Sequence, residues 1–151
     1  MVLLEKELIL LDVDATDDVN ALTQVAEQLH KQGVVKATYR DAIIKREQDF
    51  STGLQTATVG VAIPHTDAEH VNTAKIAFAR LTHPVTFKQM GDGSDVPVQL
   101  IFMLALTEPH AQLTMLQNLM TMFQEAAVMD SLLHAKDQES VLALLQQHNI
   151  I

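Results

Sequence analysis

Val98-Gln99-Leu100-Ile101-Phe102-Met103-Leu104-Ala105-Leu106 is an almost unbroken apolar run bounded by turn residues. A run of this length, too short to span a membrane, fits a central β-strand covered on both faces. Before it, Gly91-Asp92-Gly93-Ser94-Asp95 is a turn by composition. Residues 74–81 alternate, with Ile76, Phe78 and Arg80 on one face and Ala77, Ala79 and Leu81 on the other. Pro84 to Phe87 reads as a short edge strand. Residues 58–63 read as a strand that Pro64 stops, because proline cannot donate to a ladder. Residues 8–13 supply a first strand.

Helices separate these strands. Asp17 or Asp18 caps the first, where Val19, Leu22, Ala26 and Leu29 recur at helical spacing, and Gly33 ends it. A second covers 38–47. A Met-rich helix starts near Pro109 and carries Met115, Leu116, Leu119, Met120, Met122 and Phe123, running on to Met129. The last holds Val141, Leu142, Leu144 and Leu145. Strands separated by helices imply a layered α/β domain with one sheet under helices, and the length suits a single domain over 1–151.

The chain has 151 residues, no cysteine and a formal net charge of −9. The missing cysteines exclude disulfides, thiolate nucleophiles and Cys-based metal sites, and suit a reducing compartment. The N-terminus lacks the basic segment of a signal peptide, so a cytoplasmic protein is expected. With 10 Lys and Arg against 19 Asp and Glu, and no basic patch, nucleic acid is not an expected partner. A basic protein partner would be attracted. No GxGxxG or GxxxxGK[ST] fingerprint is present, and Ser51 and Ser94 lack a nucleophile-elbow context.

Seven histidines are candidates for chemistry. His30, His134 and His148 sit near helix C-termini, where a cation is mildly favoured. His65 follows a strand and Pro64 and precedes Thr66-Asp67. Side chains at strand ends of open α/β sheets project into clefts. An imidazole there, titrating at about pH 6.5 when unperturbed, serves as base or nucleophile; the alternative is a turn histidine tied to Asp67. His110 lies in the first turn of the helix after the most buried strand, in the same geometric class. His65, Asp67 and His70 also offer three metal ligands that His110 would complete, but no HExxH accompanies them and no metal or cofactor is expected.

Gly60-Val61-Ala62-Ile63-Pro64-His65 resembles the active-site signature of the fructose/mannitol-type (type-2) enzyme IIA domains of the bacterial phosphoenolpyruvate-dependent sugar phosphotransferase system. Lys45-Arg46-Glu47 followed by Phe50-Ser51-Thr52-Gly53-Leu54 resembles the motif that precedes it. Leu104-Ala105-Leu106, His110, Leu113, Leu116 and Leu119 resemble the second-histidine segment. The three motifs occur in the family's order. Within the family, Gly33-Val34-Val35 and the further His70 look most like galactitol-type IIA. Leu54-Gln55-Thr56-Ala57-Thr58-Val59-Gly60 departs from the glycine-rich run of many members, which weakens an assignment to fructose or mannitol.

The resemblance implies the phosphotransferase/anion transport-like IIA fold, a single mixed sheet flanked by helices. It implies a phosphocarrier in which His65 takes a phosphoryl group from the small carrier HPr. The group then passes to a cysteine of a cognate IIB protein and serves a IIC permease indirectly. His110 would hydrogen-bond the phosphoryl oxygens, Arg46 would supply the countercharge, and Asp67 or Glu47 would orient a neighbour. Because the chain lacks cysteine, a stand-alone IIA is expected. The alternatives are a phosphorylation-dependent regulator of the nitrogen-type IIA kind, and a metal-dependent hydrolase built on His65, Asp67 and His110.

Overall fold

The computed structural model describes residues 3–150. In chain order the elements are β1 (Ile9–Val13), α1 (Asp18–Lys31), α2 (Tyr39–Asp49), β2 (Gly53–Gln55) and β3 (Gly60–Ala62). They continue with β4 (Lys75–Lys88), β5 (Asp95–Ala105), α3 (Pro109–Phe123), α4 (Ala126–His134) and α5 (Gln138–Gln147). The strands form one sheet in the order β1-β4-β5-β3-β2. β1 runs parallel to β4 and β3 parallel to β5, while β4–β5 and β2–β3 are antiparallel. The apolar run is therefore the middle strand of a mixed sheet.

Side-chain alternation along β4 and β5 builds a core on each face. Ala77, Ala79, Ile101, Met103 and Ala105 pack with Leu22, Val25, Leu29, Tyr39 and Ile43 of α1 and α2. Ile76, Phe78, Leu100, Phe102 and Leu104 pack with Met115, Leu119, Leu132, Val141 and Leu145 of α3, α4 and α5. On the second face Phe102 sits edge-on to Phe78, with centroids 5.3 Å apart, and 5.4 Å from Phe123. Arg80 shares that face and is buried, and its guanidinium donates to the carbonyls of Leu132 and Ala135 at the end of α4.

The helix starts follow capping chemistry. The Asp17 carboxylate accepts from the Asn20 amide at 2.8 Å, so Asp17 is the cap of α1. Gly33 stands just past that helix at φ +76°, a conformation that glycine adopts without strain.

Three expectations are corrected, and one short strand goes unforeseen. Pro84 to Phe87 is not a separate edge strand. It is the second half of β4, paired through Val85–Val98 and Phe87–Val96 with β5, which itself starts at Asp95. The register shifts between Arg80 and Val85, and a proline is tolerated at such an interruption. The strand read over 58–63 shortens to β3, because the Thr56 hydroxyl accepts from the Thr58 and Val59 amides and makes a turn. β2 is a three-residue edge strand too short to show a period. The Met-rich helix is two helices, broken at Gln124–Glu125. The break lets Phe123 and Met129 both enter the same core, with neither glycine nor proline to mark it.

Gly60 fixes how closely β3 approaches β5. A Cβ at this position would lie 2.1 Å from the Pro97 carbonyl oxygen, so no side chain fits.

Candidate functional site

His65 sits just past the end of β3, held against the end of β5. The Pro64 carbonyl accepts from the Leu104 amide at 2.9 Å, and His65 bridges to Leu104 in the parallel sense. The Leu104 carbonyl in turn accepts from the buried Tyr39 hydroxyl of α2 at 2.8 Å. Burial and that bond hold the phenol neutral, its pKa pushed well above the usual range by loss of solvent. The backbone under His65 is thus tied from the sheet and from α2.

The His65 ring is half-buried, and its Nδ1 lies 2.8 Å from the Ile63 carbonyl oxygen. A carbonyl accepts only, so Nδ1 carries the proton in the neutral ring and Nε2 keeps a free lone pair. Burial lowers the pKa of His65 below 6.5, and the positive charge of Arg46 lowers it further, against the opposing pull of the Ile63 bond. The ring is neutral at physiological pH. His65 is therefore tied to Ile63 and not to Asp67.

Arg46 lies in the last turn of α2. Its guanidinium stacks over the exposed Phe50 ring, 4.7 Å from the centroid, and Nη1 lies 3.9 Å from the Asp67 carboxylate. Its Nε is buried and has no hydrogen-bond partner among the described residues. A buried donor of this kind is costly unless something accepts from it.

His110 is exposed in the first turn of α3, beyond the same end of β5 that holds His65. Among the described residues no hydrogen bond joins the two histidines. His70 faces elsewhere, its Nδ1 2.8 Å from the Thr38 hydroxyl at the start of α2. His65, Asp67 and His70 thus take different partners, and no group of three His, Cys, Asp or Glu among the described residues is placed to hold a metal. His134 and His148 pair with Asp130 and Glu125 on the distal helices.

Sequence reasoning named Glu47 but missed how it connects. Its carboxylate accepts from both the Thr52 amide and the Thr52 hydroxyl, each at 2.7 Å. The Thr52 hydroxyl oxygen accepts from the Ile63 amide at 3.2 Å. The signal was present: Tyr39, Ile43 and Glu47 share one buried stripe at four-residue spacing, with a carboxylate where an apolar residue belongs.

A half-buried neutral imidazole, an arginine with an unpaired buried donor and a second histidine at one sheet end suit transfer of an anionic group. The family model "Phosphoenolpyruvate-dependent sugar phosphotransferase system, EIIA 2" matches residues 2–148, and the chain belongs to this family. The galactitol-specific EIIA component of Escherichia coli (strain K12) is 32% identical over 121 residues, 80% of this chain and 81% of that protein. The mannitol enzyme IIA of Escherichia coli, solved in complex with phosphorylated enzyme IIB, superposes with a TM-score of 0.80 at 25% identity, covering 97% of this chain and 99% of that one. Nitrogen regulatory protein IIA-Ntr from Neisseria meningitidis gives 0.76 at 28% identity, over 95% and 96%. Family membership supports a phosphotransfer function of the EIIA type. Among the described residues no helix is long and apolar enough to cross a membrane.

Proposed function

We propose that the protein is a histidine phosphocarrier: His65 accepts a phosphoryl group from the phosphohistidine of HPr and passes it to a cysteine of a cognate IIB protein. The observation that carries this reading is the 2.8 Å contact between His65 Nδ1 and the Ile63 carbonyl. It leaves Nε2 as the nucleophile. The Nε2 lone pair forms a bond to phosphorus while the donor P–N bond breaks, and that electron pair returns to the donor imidazole. His65 keeps its Nδ1 proton, so the phosphorylated ring is cationic and the Ile63 carbonyl stabilises it. In the onward step a thiolate attacks phosphorus, the P–N bond breaks and His65 leaves as a neutral imidazole. No proton need move on or off the ring.

Arg46 is the countercharge, its guanidinium matching the geometry of phosphoryl oxygens. His110 donates to those oxygens as charge shifts. Transfer of this kind rests on positioning and electrostatics and needs neither metal nor cofactor. The carrier works in the cytoplasm and serves a IIC permease indirectly, and the 32% identity to a galactitol-specific component favours a sugar alcohol of that class. A second reading, a phosphorylation-dependent regulator, draws on the 28% identity to nitrogen regulatory IIA-Ntr.

Two measurements test the proposal. Protein mixed with phosphoenolpyruvate, enzyme I and HPr should gain one acid-labile phosphate, absent in His65→Ala. Added galactitol IIB should then remove it; retention of the phosphate on this protein favours the regulator.

A further inference from the structure

We propose that Glu47 is a positioning residue for His65, acting through the Thr52 hydroxyl and the placement of the Ile63 backbone to set which ring nitrogen of His65 is free. This inference rests on the assignment of His65 above and identifies what aims it.

The chain of contacts is continuous. Both carboxylate oxygens of Glu47 accept from Thr52, one from the amide and one from the hydroxyl. Because the hydroxyl proton points at Glu47, the lone pairs of Oγ1 face the Ile63 amide, which donates to them at 3.2 Å and, in a longer shared bond, to the Thr52 carbonyl at 3.4 Å. The other side of the same residue, the Ile63 carbonyl, accepts from His65 Nδ1. An ionised Glu47 makes the Thr52 oxygen a stronger acceptor, which holds the Ile63 backbone in place and so sets where its carbonyl meets Nδ1. Four side or main chains from α2, the α2–β2 turn and the end of β3 thereby fix one imidazole tautomer.

A purely structural role explains Glu47 poorly. The residue is 6% exposed, stands in the last turn of α2 where the helix dipole disfavours an anion, and has Asp18 of α1 nearby. Each of these opposes a carboxylate, and the two hydrogen bonds from Thr52 offset them. The cleft beside it, about 220 Å³, is lined by Asp18 from α1 and Lys88 from β4 as its charged groups, and Lys88 is already paired with Asp95. Arg46, adjacent in sequence, stacks on Phe50 and faces Asp67.

The arrangement makes positioning depend on pH. Burial pushes the Glu47 carboxyl up to about 7, with Asp18 adding to the rise and the Thr52 bonds opposing it. Neutral Glu47 donates or accepts at Thr52 without charge, and the Ile63 amide loses its strengthened acceptor. His65 itself stays neutral above the ordinary histidine range, so the two titrations separate.

Ring nitrogen NMR of unphosphorylated protein, with Glu47→Gln, Thr52→Val and Thr52→Ser, tests the relay alongside phosphorylation rates from phospho-HPr. In the wild type the Nδ1–H form should dominate and grow as pH rises through about 7. Glu47→Gln and Thr52→Val should populate the Nε2–H form and slow phosphorylation at least about tenfold, since small misplacements of a reacting group are costly. Thr52→Ser, which keeps the hydroxyl, should stay within about twofold of wild type. A wild-type tautomer ratio that does not change with pH, or variants with wild-type spectra and rates, overturns the relay. The wild-type titration needs no substituted protein to fold. Failure of wild-type protein to take up phosphate would instead contradict the carrier reading, and the nitrogen spectra would still decide the positioning.

Discussion

The ring Nδ1 of His65 meets the carbonyl of Ile63, two residues earlier, at 2.8 Å, while the amide of the same Ile63 donates to the Thr52 hydroxyl. One peptide residue thus connects a buried carboxylate to the candidate nucleophile.

The His65 titration follows from this setting. Its pKa lies below 6.5 because burial and the Arg46 charge both disfavour the imidazolium. Histidine proton NMR should find its midpoint below the ordinary 6.5. Arg46→Ala should move it upward, though not to 6.5, since burial remains the larger cause. Between the folded value and 6.5 the unfolded chain binds more protons, so stability rises with pH there. The contribution of His65 is lost as pH falls through about 6.5 and levels off below the folded pKa.

Glu47 has the opposite sign. Its folded pKa of about 7 lies above its ordinary 4.5, so between these values the folded state binds more protons. Stability from this group is present below 4.5 and is lost as pH rises toward 7. Urea unfolding of Glu47→Gln against wild type should show the variant gaining relative stability across that window. A difference that is flat with pH contradicts a raised Glu47.

Transfer through the flanking groups should fail without loss of fold. His110 is exposed and Arg46 about half so, and truncating either should change stability by less than about 1 kcal/mol. Onward transfer from phosphorylated His110→Ala or Arg46→Ala to IIB should slow about 100-fold, equivalent to ~3 kcal/mol for one positioned donor. Quench-flow rates equal to wild type would remove these residues from the site.

Two backbone constraints carry stability costs. Gly60→Ala forces a methyl into the Pro97 carbonyl and should cost about 3 kcal/mol, read as a fall in the urea midpoint. Tyr39→Phe leaves the buried Leu104 carbonyl without its donor and should cost about 1–3 kcal/mol.

Much of this was legible in the sequence because periodicity reports burial. The apolar run at 98–106 is the middle strand, and the Gly60-to-His65 motif ends β3 where the site lies. The long β4 was read as two pieces because Pro84 looks like a breaker, whereas the register shift absorbs it. The α3–α4 break was invisible because no glycine or proline marks it and both halves are apolar. At the site, the residue types at 46, 65 and 110 were readable from their motifs. The Glu47–Thr52–Ile63 connection was not, because it depends on a hydroxyl rotamer and a main-chain amide that no spacing encodes.

Everything proposed for the site depends on His65 carrying phosphate on Nε2. Phosphorus and nitrogen NMR of protein phosphorylated through phosphoenolpyruvate, enzyme I and HPr tests it most directly. Each chain should carry one phosphate, bonded to Nε2 of His65, with the Nδ1 proton retained, and none should appear in His65→Ala. Phosphate on Nδ1, on His110 or any other residue, or undiminished labelling of His65→Ala, would contradict it.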